Sequence, residues 1–227
     1  MTRLFLLLAL SVALFSCGGG DTTAQTASVS APASELKLNE KGRITSAITL
    51  TLADGPFAGT YELGNEKSWG NVSFSATTAE HVEKHPKFAG TSNMSVFSML
   101  TDDDDFGILN MSRVFSGEPQ TGHLPSKSFL NKTRKQDECG TMLLKFYDQP
   151  DIIRHVYVRF LECNGIDITG FGNEWKESKY TKKRKRPVAG KFSERVRIED
   201  INSTNDTKEV HETTMTIVFQ GEQSVEM

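Results

Sequence analysis

Long hydrophobic runs are scarce in this chain of 227 residues. The longest run begins at Leu4 and ends at Phe15, and it holds about twelve residues, whereas a helix that spans a bilayer needs about 20. Arg3 gives the segment the positive start of a cleaved export signal. No later stretch approaches about 18 consecutive apolar residues, so we expect the chain after this signal to lie in an aqueous compartment.

Cysteine is also rare, with three residues in all. The first, Cys17, directly follows the apolar run, and the sequence LFSC that ends at Cys17 resembles the bacterial lipobox. The resemblance implies that residues 1–16 are a signal peptide and that Cys17 carries lipid, which would anchor the protein to a membrane without spanning it. Gly18 stands where an aspartate retains some lipoproteins in the inner membrane, so the resemblance implies the cell outer membrane, on its periplasmic or its surface face. The alternative is an ordinary signal peptide with a chance cysteine.

Large apolar side chains are nearly missing from residues 17–36. Glycine, serine, threonine and alanine dominate this segment, and such a composition buries too little apolar surface to offset the chain entropy lost on folding. We therefore expect a flexible tether behind the lipidated cysteine. Residues 37–227 would then form one domain, whose length suits a β-sandwich.

Hydrophobic side chains in this domain recur mostly at every second position, which is typical of β-strands. Residues 44–52 alternate isoleucine and leucine with polar residues, and a second alternating segment at 57–63 follows the turn sequence DGP, which predicts a hairpin. Further strands are predicted at residues 71–76, 94–100, 106–115, 141–147, 153–161, 188–198 and 210–219. So many short strands favour an all-β fold, an antiparallel β-sandwich or, as the alternative, a closed lipocalin-like barrel.

One segment carries helix signals instead. Thr77 and Glu80 have the spacing of a capping box, and Pro86 would end the helix, so we expect one short surface helix. His81 and His85 would share a face of that helix. Two imidazoles do not make a metal site, and no other histidine has a spacing that nominates a third ligand, so we expect both to face solvent.

The two remaining cysteines, Cys139 and Cys163, form an even pair in an oxidising compartment, which predicts a disulfide. Two buried thiols or a pair of metal ligands are the alternatives. If the two strands predicted between the cysteines form a hairpin, the disulfide predicts a register in which Met142 lies opposite Phe160.

Motifs of catalysis and cofactor binding are missing as well. The chain has no Gly-x-Ser-x-Gly nucleophile elbow and no phosphate-binding loop. We therefore predict no catalytic residue, no cofactor and no metal ligand, and a protein that is not an enzyme. Four consecutive aspartates at residues 102–105 are suitable oxygen ligands for calcium, but they lack EF-hand spacing, and a charged loop that limits aggregation is the alternative.

No excess of one charge marks the whole chain, whose formal net charge is only -3. The strongest local run, KKRKR at residues 182–186, would suggest nucleic acid in a cytosolic protein, but the export signal and the lack of a basic domain argue against that partner. Two interpretations remain. The run contacts an anion such as a lipopolysaccharide phosphate or an acidic glycan, or it is a solvated loop.

Tryptophan is limited to Trp69 and Trp175. Both lie in polar segments that contain glycine, asparagine and glutamate, and an aromatic ring beside amide and carboxylate groups is what sugar binding needs. We take both as candidate ligand contacts. The alternative is that each tryptophan covers one end of the core.

The lipobox, the glycine-rich tether and the strand sequences GTY at 59–61 and VAGKF at 188–192 resemble the uncharacterised β-rich lipoproteins of Bacteroidota. This resemblance implies an anchoring role for Cys17 and supplies no catalytic residue. The resulting hypothesis is a membrane-anchored, non-enzymatic lipoprotein of the cell envelope that binds a glycan or an envelope protein. A lipocalin-like carrier of an apolar ligand is the alternative, followed by a hydrolase whose carboxylates converge only in the fold.

Overall fold

The computed structural model describes residues 46–63, 68–100, 106–131, 136–149, 152–178, 181–201 and 208–227. The expected signal peptide, the lipid site Cys17, the tether and the four aspartates at 102–105 lie outside the described residues. Within them, the predicted all-β class is confirmed. No helix in these ranges has the length and apolar character needed to cross a membrane.

The described chain consists of strands, one short α-helix and a single 3₁₀ turn. The strands are β1 (Ala47–Leu52), β2 (Gly59–Leu63), β3 (Ser68–Ala76), β4 (Thr91–Leu100), β5 (Phe106–Ser116), β6 (Gly122–Leu124), β7 (Phe129–Asn131), β8 (Gln136–Glu138), β9 (Gly140–Gln149), β10 (Ile152–Phe160), β11 (Ile166–Phe171), β12 (Lys176–Glu177), β13 (Lys183–Ile201) and β14 (Lys208–Glu226). Helix α1 (Ala79–Lys84) and the 3₁₀ turn (Pro86–Phe88) connect β3 to β4.

The main sheet closes on itself into a barrel-like ring. Strands β3, β4, β5, β9, β10 and β13 pair in that order, β13 pairs with β14 along its whole length, and β14 returns to β3. This last contact is parallel, with Glu222 level with Ser73 and Ser224 level with Ser75, whereas the other strand pairs within the described ranges are antiparallel. The predicted β1–β2 hairpin is confirmed and extends the sheet from β14, while β11 and β6 extend it from β13.

The ring encloses one hydrophobic core because each strand turns every second side chain inward. In β5, Leu109, Met111, Arg113 and Phe115 are all buried, and the residues between them are more exposed. A charged side chain therefore occupies a core position. This arginine needs a buried partner, because an isolated charge in a low-dielectric interior is very costly.

Glu194 of β13 supplies that partner. Its Oε1 accepts a hydrogen bond from Nη2 of Arg113 at 2.7 Å, and both side chains are fully buried. The guanidinium also lies 4.5 Å from the ring centroid of Phe160 and 4.7 Å from that of Phe192. Burial raises the pKa of Glu194 and lowers that of Arg113, so the ion pair offsets only part of the cost of removing the two charges from water.

The predicted short helix is present, but its cap differs by one residue. The side chain of Thr78, and not that of Thr77, accepts a hydrogen bond from the backbone N–H of His81. Thr77 instead shares a hydrogen bond with the hydroxyl of Thr91, with 2.8 Å between the oxygens. Because Thr77 is bonded to the sheet in this way, Thr78 takes the N-cap position of the helix.

The Cys139–Cys163 disulfide is present, with its Cα atoms 5.9 Å apart, but the register that we derived from it is wrong. Met142 lies opposite Val158 instead of Phe160, a shift of two residues. The reason is that the β9–β10 pairing ends at Val158 and β10 ends at Phe160, so Cys163 lies beyond the paired strands and the disulfide does not set their register. Because the shift is even, it leaves the same side chains facing the core.

Candidate functional site

The basic run lies in a strand and not in the solvated loop that was the simpler expectation. β13 starts at Lys183, and its first residues pair with the end of β14 and with the two-residue strand β12. Val188 and Phe192 of β13 point into the core, and Arg184 and Arg186 continue the same row beyond it. Strand geometry therefore directs these two arginines to one side of the sheet.

Trp175 covers this row of arginines. The chain turns back after β11 at Gly172, whose N–H donates to the carbonyl of Pro187, and a Cβ at Gly172 would lie 2.6 Å from the ring of Pro187. The turn brings β12 alongside β13, with Lys176 level with Lys185. The indole of Trp175, the residue before β12, is thereby laid against the arginines.

Four side chains form what we call the arginine–aromatic stack: Phe171, Trp175, Arg184 and Arg186. The guanidinium carbon of Arg186 lies 4.1 Å from the ring centroid of Phe171 and 4.7 Å from that of Trp175. Arg184 lies farther out, 5.7 Å from the Trp175 ring, and is exposed. Contacts of this kind stabilise a cation by about 0.5–2 kcal/mol and hold a planar guanidinium in place.

The stack holds positive charge that is not neutralised within the described residues. Arg186 donates from Nε to the neutral amide oxygen of Gln223 at 2.6 Å, and neither Arg186 nor Arg184 has an ion-pair partner there. Partial burial lowers the pKa of Arg186, because the guanidinium has lost part of its contact with water. An anion at this position would stabilise the charged guanidinium and so offset the water contacts that it has lost.

Carboxylates near the stack leave its charge largely free. Glu222 pairs with Lys185, at 2.5 Å between Nζ and Oε1. Glu177 is level with Arg184 across β12 and β13, but the two side chains do not form an ion pair. Lys182 and Lys183 add positive charge at the same end of β13, without an ion-pair partner in the described part of the chain, although alternation directs Lys183 to the other face of the sheet.

The second candidate tryptophan lies elsewhere. Trp69 belongs to the first part of β3, and its side chain is outside the part of the structure that is described. Phe74 is the β3 residue level with Gln223 and hence with Arg186. Trp69 precedes Phe74 by a distance of about 16 Å along a strand, so the backbone places only Trp175 beside the basic run.

His81 and His85 are both exposed, as predicted, but only His81 belongs to α1, because the helix ends at Lys84 and His85 is its C-cap. Their ring centroids are 4.8 Å apart, and the ring of Phe88 lies 5.1 Å from that of His81. Among the described residues, no three histidine, cysteine, aspartate or glutamate side chains are grouped so that they could hold a metal ion. The question of calcium at residues 102–105 falls outside the described ranges.

Sequence reasoning nominated Trp175 and the basic run separately and did not nominate Phe171. The run was conspicuous by charge and the tryptophan by its rarity, but a phenylalanine at the end of an alternating strand has no signal that separates it from a core residue. Comparison with known proteins adds no further residue, because the chain matches no protein-family model, no curated protein and no solved structure. The arginine–aromatic stack is therefore the candidate functional site in the described part of the chain.

Proposed function

We propose that this protein is a non-enzymatic lipoprotein, anchored to the cell outer membrane through Cys17, that binds an anionic glycan at the arginine–aromatic stack. The observation that carries the proposal is the contact of Arg186 with the rings of both Phe171 and Trp175, with no carboxylate partner in the described part of the chain. The two ring contacts and the Nε hydrogen bond to Gln223 hold the guanidinium in place, and its Nη groups have no hydrogen-bond partner in the described part of the chain. A guanidinium held in this way loses little side-chain entropy when it binds a phosphate or a carboxylate.

The positive charge of the stack indicates that the ligand is an anion, and the proposed location at the outer membrane indicates that it is a glycan. Arg184 within the stack, and Lys182 and Lys183 just before it in the chain, add further cations at this end of β13, which favours a ligand with several negative groups. The proposed lipid anchor would hold the protein at a membrane where phosphorylated and carboxylated glycans occur. Trp175 then acts by holding the arginines, and a sugar ring need not stack on it directly.

The alternative of a lipocalin-like carrier gains no support from the inside of the ring. A carrier needs an internal cavity, but Arg113 lies among the rings of Phe115, Phe160 and Phe192 at centroid distances of 5.3, 4.5 and 4.7 Å. Glu194 completes this packed centre. The centre of the ring, between β5 and β13, is therefore occupied by packed side chains and not by a cavity.

Binding to lipopolysaccharide, with and without its phosphates, tests the proposal. Full-length protein in detergent should retain phosphorylated lipopolysaccharide and lose most of this binding to the dephosphorylated material. The Arg184→Gln variant should bind about tenfold more weakly, because one charge-assisted hydrogen bond is lost. The affinity should also fall with added salt, since the contacts are partly exposed.

Lys191→Gln is the matched control, because Lys191 lies on the same strand but outside the stack. It should bind like the wild type. Equal binding of the two lipopolysaccharides, or equal losses for Arg184→Gln and Lys191→Gln, would contradict the proposal.

A further inference from the structure

We infer that a cleft at the opposite end of the β13–β14 hairpin binds a primary ammonium group carried on a short apolar stem. This inference is independent of the anionic-glycan proposal. The cleft has a volume of about 280 Å³ and lies between the end of β13, the start of β14 and the turn that connects β1 to β2. Its polar lining includes Asp200, Glu209 and His211, and its apolar lining includes Phe57.

Two carboxylates face each other across this cleft. Asp200 and Glu209 are directly opposite in the antiparallel β13–β14 pair and therefore project from the same face of the sheet. Cross-strand Cβ atoms in such pairs are about 4.5–5.5 Å apart, and two like charges at that separation destabilise the sheet. A cation between the two carboxylates would remove this repulsion.

Only part of this negative charge is neutralised by the protein. Asp200 is buried, with 4% of its side chain exposed, and its Oδ2 accepts a hydrogen bond from Arg154. Its other oxygen, Oδ1, is buried and has no hydrogen-bond partner among the described residues. Glu209 is exposed and has no ion-pair partner in the same part of the chain.

Asp54 adds a third carboxylate at the rim. Its Oδ1 lies 3.0 Å from Nε2 of His211, and hydrogen bonds from Thr213 and His211 lower its pKa. The approach is tight, because Gly55 leaves room for the His211 ring, which a Cβ would meet at 2.2 Å. Asp54 therefore stays ionised at neutral pH and keeps the cleft entrance negative.

The remaining lining sets the shape of the ligand. Pro56, Phe57 and Ile198 provide an apolar wall next to the carboxylates. A hydrated metal ion would gain nothing from that wall, whereas the methylene groups of an alkylammonium would bury against it. Its three N–H donors would bind Glu209 at the surface of the cleft and approach the buried carboxylate of Asp200, two groups with unsatisfied acceptors among the described residues. A lysine side chain of a partner protein and a free small amine share this chemistry.

Calorimetric titration of the full-length protein with Nα-acetyl-lysine methylamide tests the inference. The norleucine analogue is the same molecule without the ammonium group. We expect the lysine compound to bind with a Kd of about 1 mM, as suits a ligand of this size, and the norleucine compound to bind at least about tenfold more weakly. Butylammonium distinguishes the sources: equal affinity points to a free amine, and weaker affinity points to a lysine within a protein.

Glu209→Gln should weaken binding of the lysine compound about tenfold, since an exposed strand residue can be changed without loss of the fold. Glu226→Gln, an exposed glutamate at the far end of the same strand, should leave it unchanged. Equal binding of the lysine and norleucine compounds, no detectable heat with either, or equal effects of the two variants would overturn the inference.

Discussion

At the scale of single residues, the most consequential feature is the charged pair in the middle of the core. Arg113 and Glu194 are fully buried, and Nε and Nη1 of Arg113 and Oε2 of Glu194 have no hydrogen-bond partner among the described residues. Glu194 Oε1 also accepts from the N–H of Gly165 at 3.3 Å. The pair thus links β5 to β13 and to the start of β11, and each charge depends on the other for its place in the core.

Glu194→Gln should lower the free energy of unfolding by about 3–5 kcal/mol, because it leaves the buried Arg113 charge without a counter-charge. The double variant Arg113→Met with Glu194→Leu should lose less, since it removes both charges and keeps the volume apolar. Urea denaturation of the three proteins measures this order. A single variant as stable as the wild type would show that the ion pair does not hold the two strands together.

Sequence patterns identify which positions are buried at this scale, but not which residues meet. The alternation in β5 places Arg113 in a row with Met111 and Phe115, so its burial agrees with the pattern, although we did not predict it from the sequence. Its partner is 81 residues away in the chain. The choice of Glu194 among many carboxylates depends on the closure of the sheet, which no local pattern records.

At the scale of elements, the β13–β14 hairpin organises the molecule. Each of its strands has 19 residues, and together they contact β10, β11, β12, β1 and β3 in turn. The ring closes where β14 meets β3, and Gly221 permits this approach. A Cβ there would lie 2.4 Å from both the Cβ and the carbonyl oxygen of Val72.

Gly221→Ala should therefore weaken ring closure and lower the free energy of unfolding by about 1–3 kcal/mol through overpacking. Thr214→Ala, at an exposed position of the same strand, should change it by less than about 0.5 kcal/mol. Denaturation curves for both variants give the comparison. Equal stability of the two would mean that β3 moves aside without cost.

Ion pairs on the exposed face of the β13–β14 hairpin should make the stability of the fold depend on pH in the acid range. Glu212 of β14 has a lowered pKa, chiefly because Arg197 donates to it at 2.6 Å, with a further contribution from Arg195. A carboxyl whose pKa is lower in the folded state stabilises the fold above its unfolded pKa of about 4.3 and loses that contribution as the pH falls through the lowered value. The ion pairs are exposed, so the effect should be modest.

Glu212→Gln should accordingly be less stable than the wild type above about pH 5, and the difference should shrink as the pH drops below about 4. Thermal melts across this range test the sign, with Glu62→Gln of the exposed part of β2 as the control. A stability difference that grows in acid would contradict the assigned direction of the pKa shift.

Elements differ in how well the sequence predicts them. The β1–β2 hairpin follows from alternation and a turn sequence, because both strands are neighbours in the chain. The β14–β3 contact joins segments about 150 residues apart. It depends on the entropy of closing a long loop and on packing between distant residues, neither of which a local sequence pattern contains. The two-residue error at Met142 has a related origin, because Cys163 lies beyond the end of β10, where local patterns do not set the path of the chain.

At the scale of the whole molecule, a net charge of only -3 conceals two regions of opposite character. The cations of the arginine–aromatic stack lie at one end of the β13–β14 hairpin, and the carboxylates of the cleft lie at the other. Arg184 and Asp200 are sixteen positions apart on β13, which is up to about 50 Å. Changes at one end should therefore leave binding at the other end unaffected.

The proposed anchor makes a prediction for the intact cell. The wild-type protein should fractionate with the outer membrane and carry acyl chains on Cys17, because several chains on one N-terminus give firm attachment. Cys17→Ser should abolish both lipidation and membrane association. Mass spectrometry of the N-terminal peptide and cell fractionation measure these outcomes, and a mature N-terminus without lipid in the wild type would refute the anchor.

The proposal of anionic-glycan binding is tested most directly by the NMR signals of its own side chains. Glucose 1-phosphate, titrated into the full-length protein in detergent, should shift the Nε–H signals of Arg184 and Arg186 and the indole N–H signal of Trp175. The Nε–H signal of Arg197, which is ion-paired with Glu212 on another face, should stay in place. Saturable shifts confined to the stack are the predicted result, and no shift, or equal shifts at Arg186 and Arg197, would contradict the proposed function.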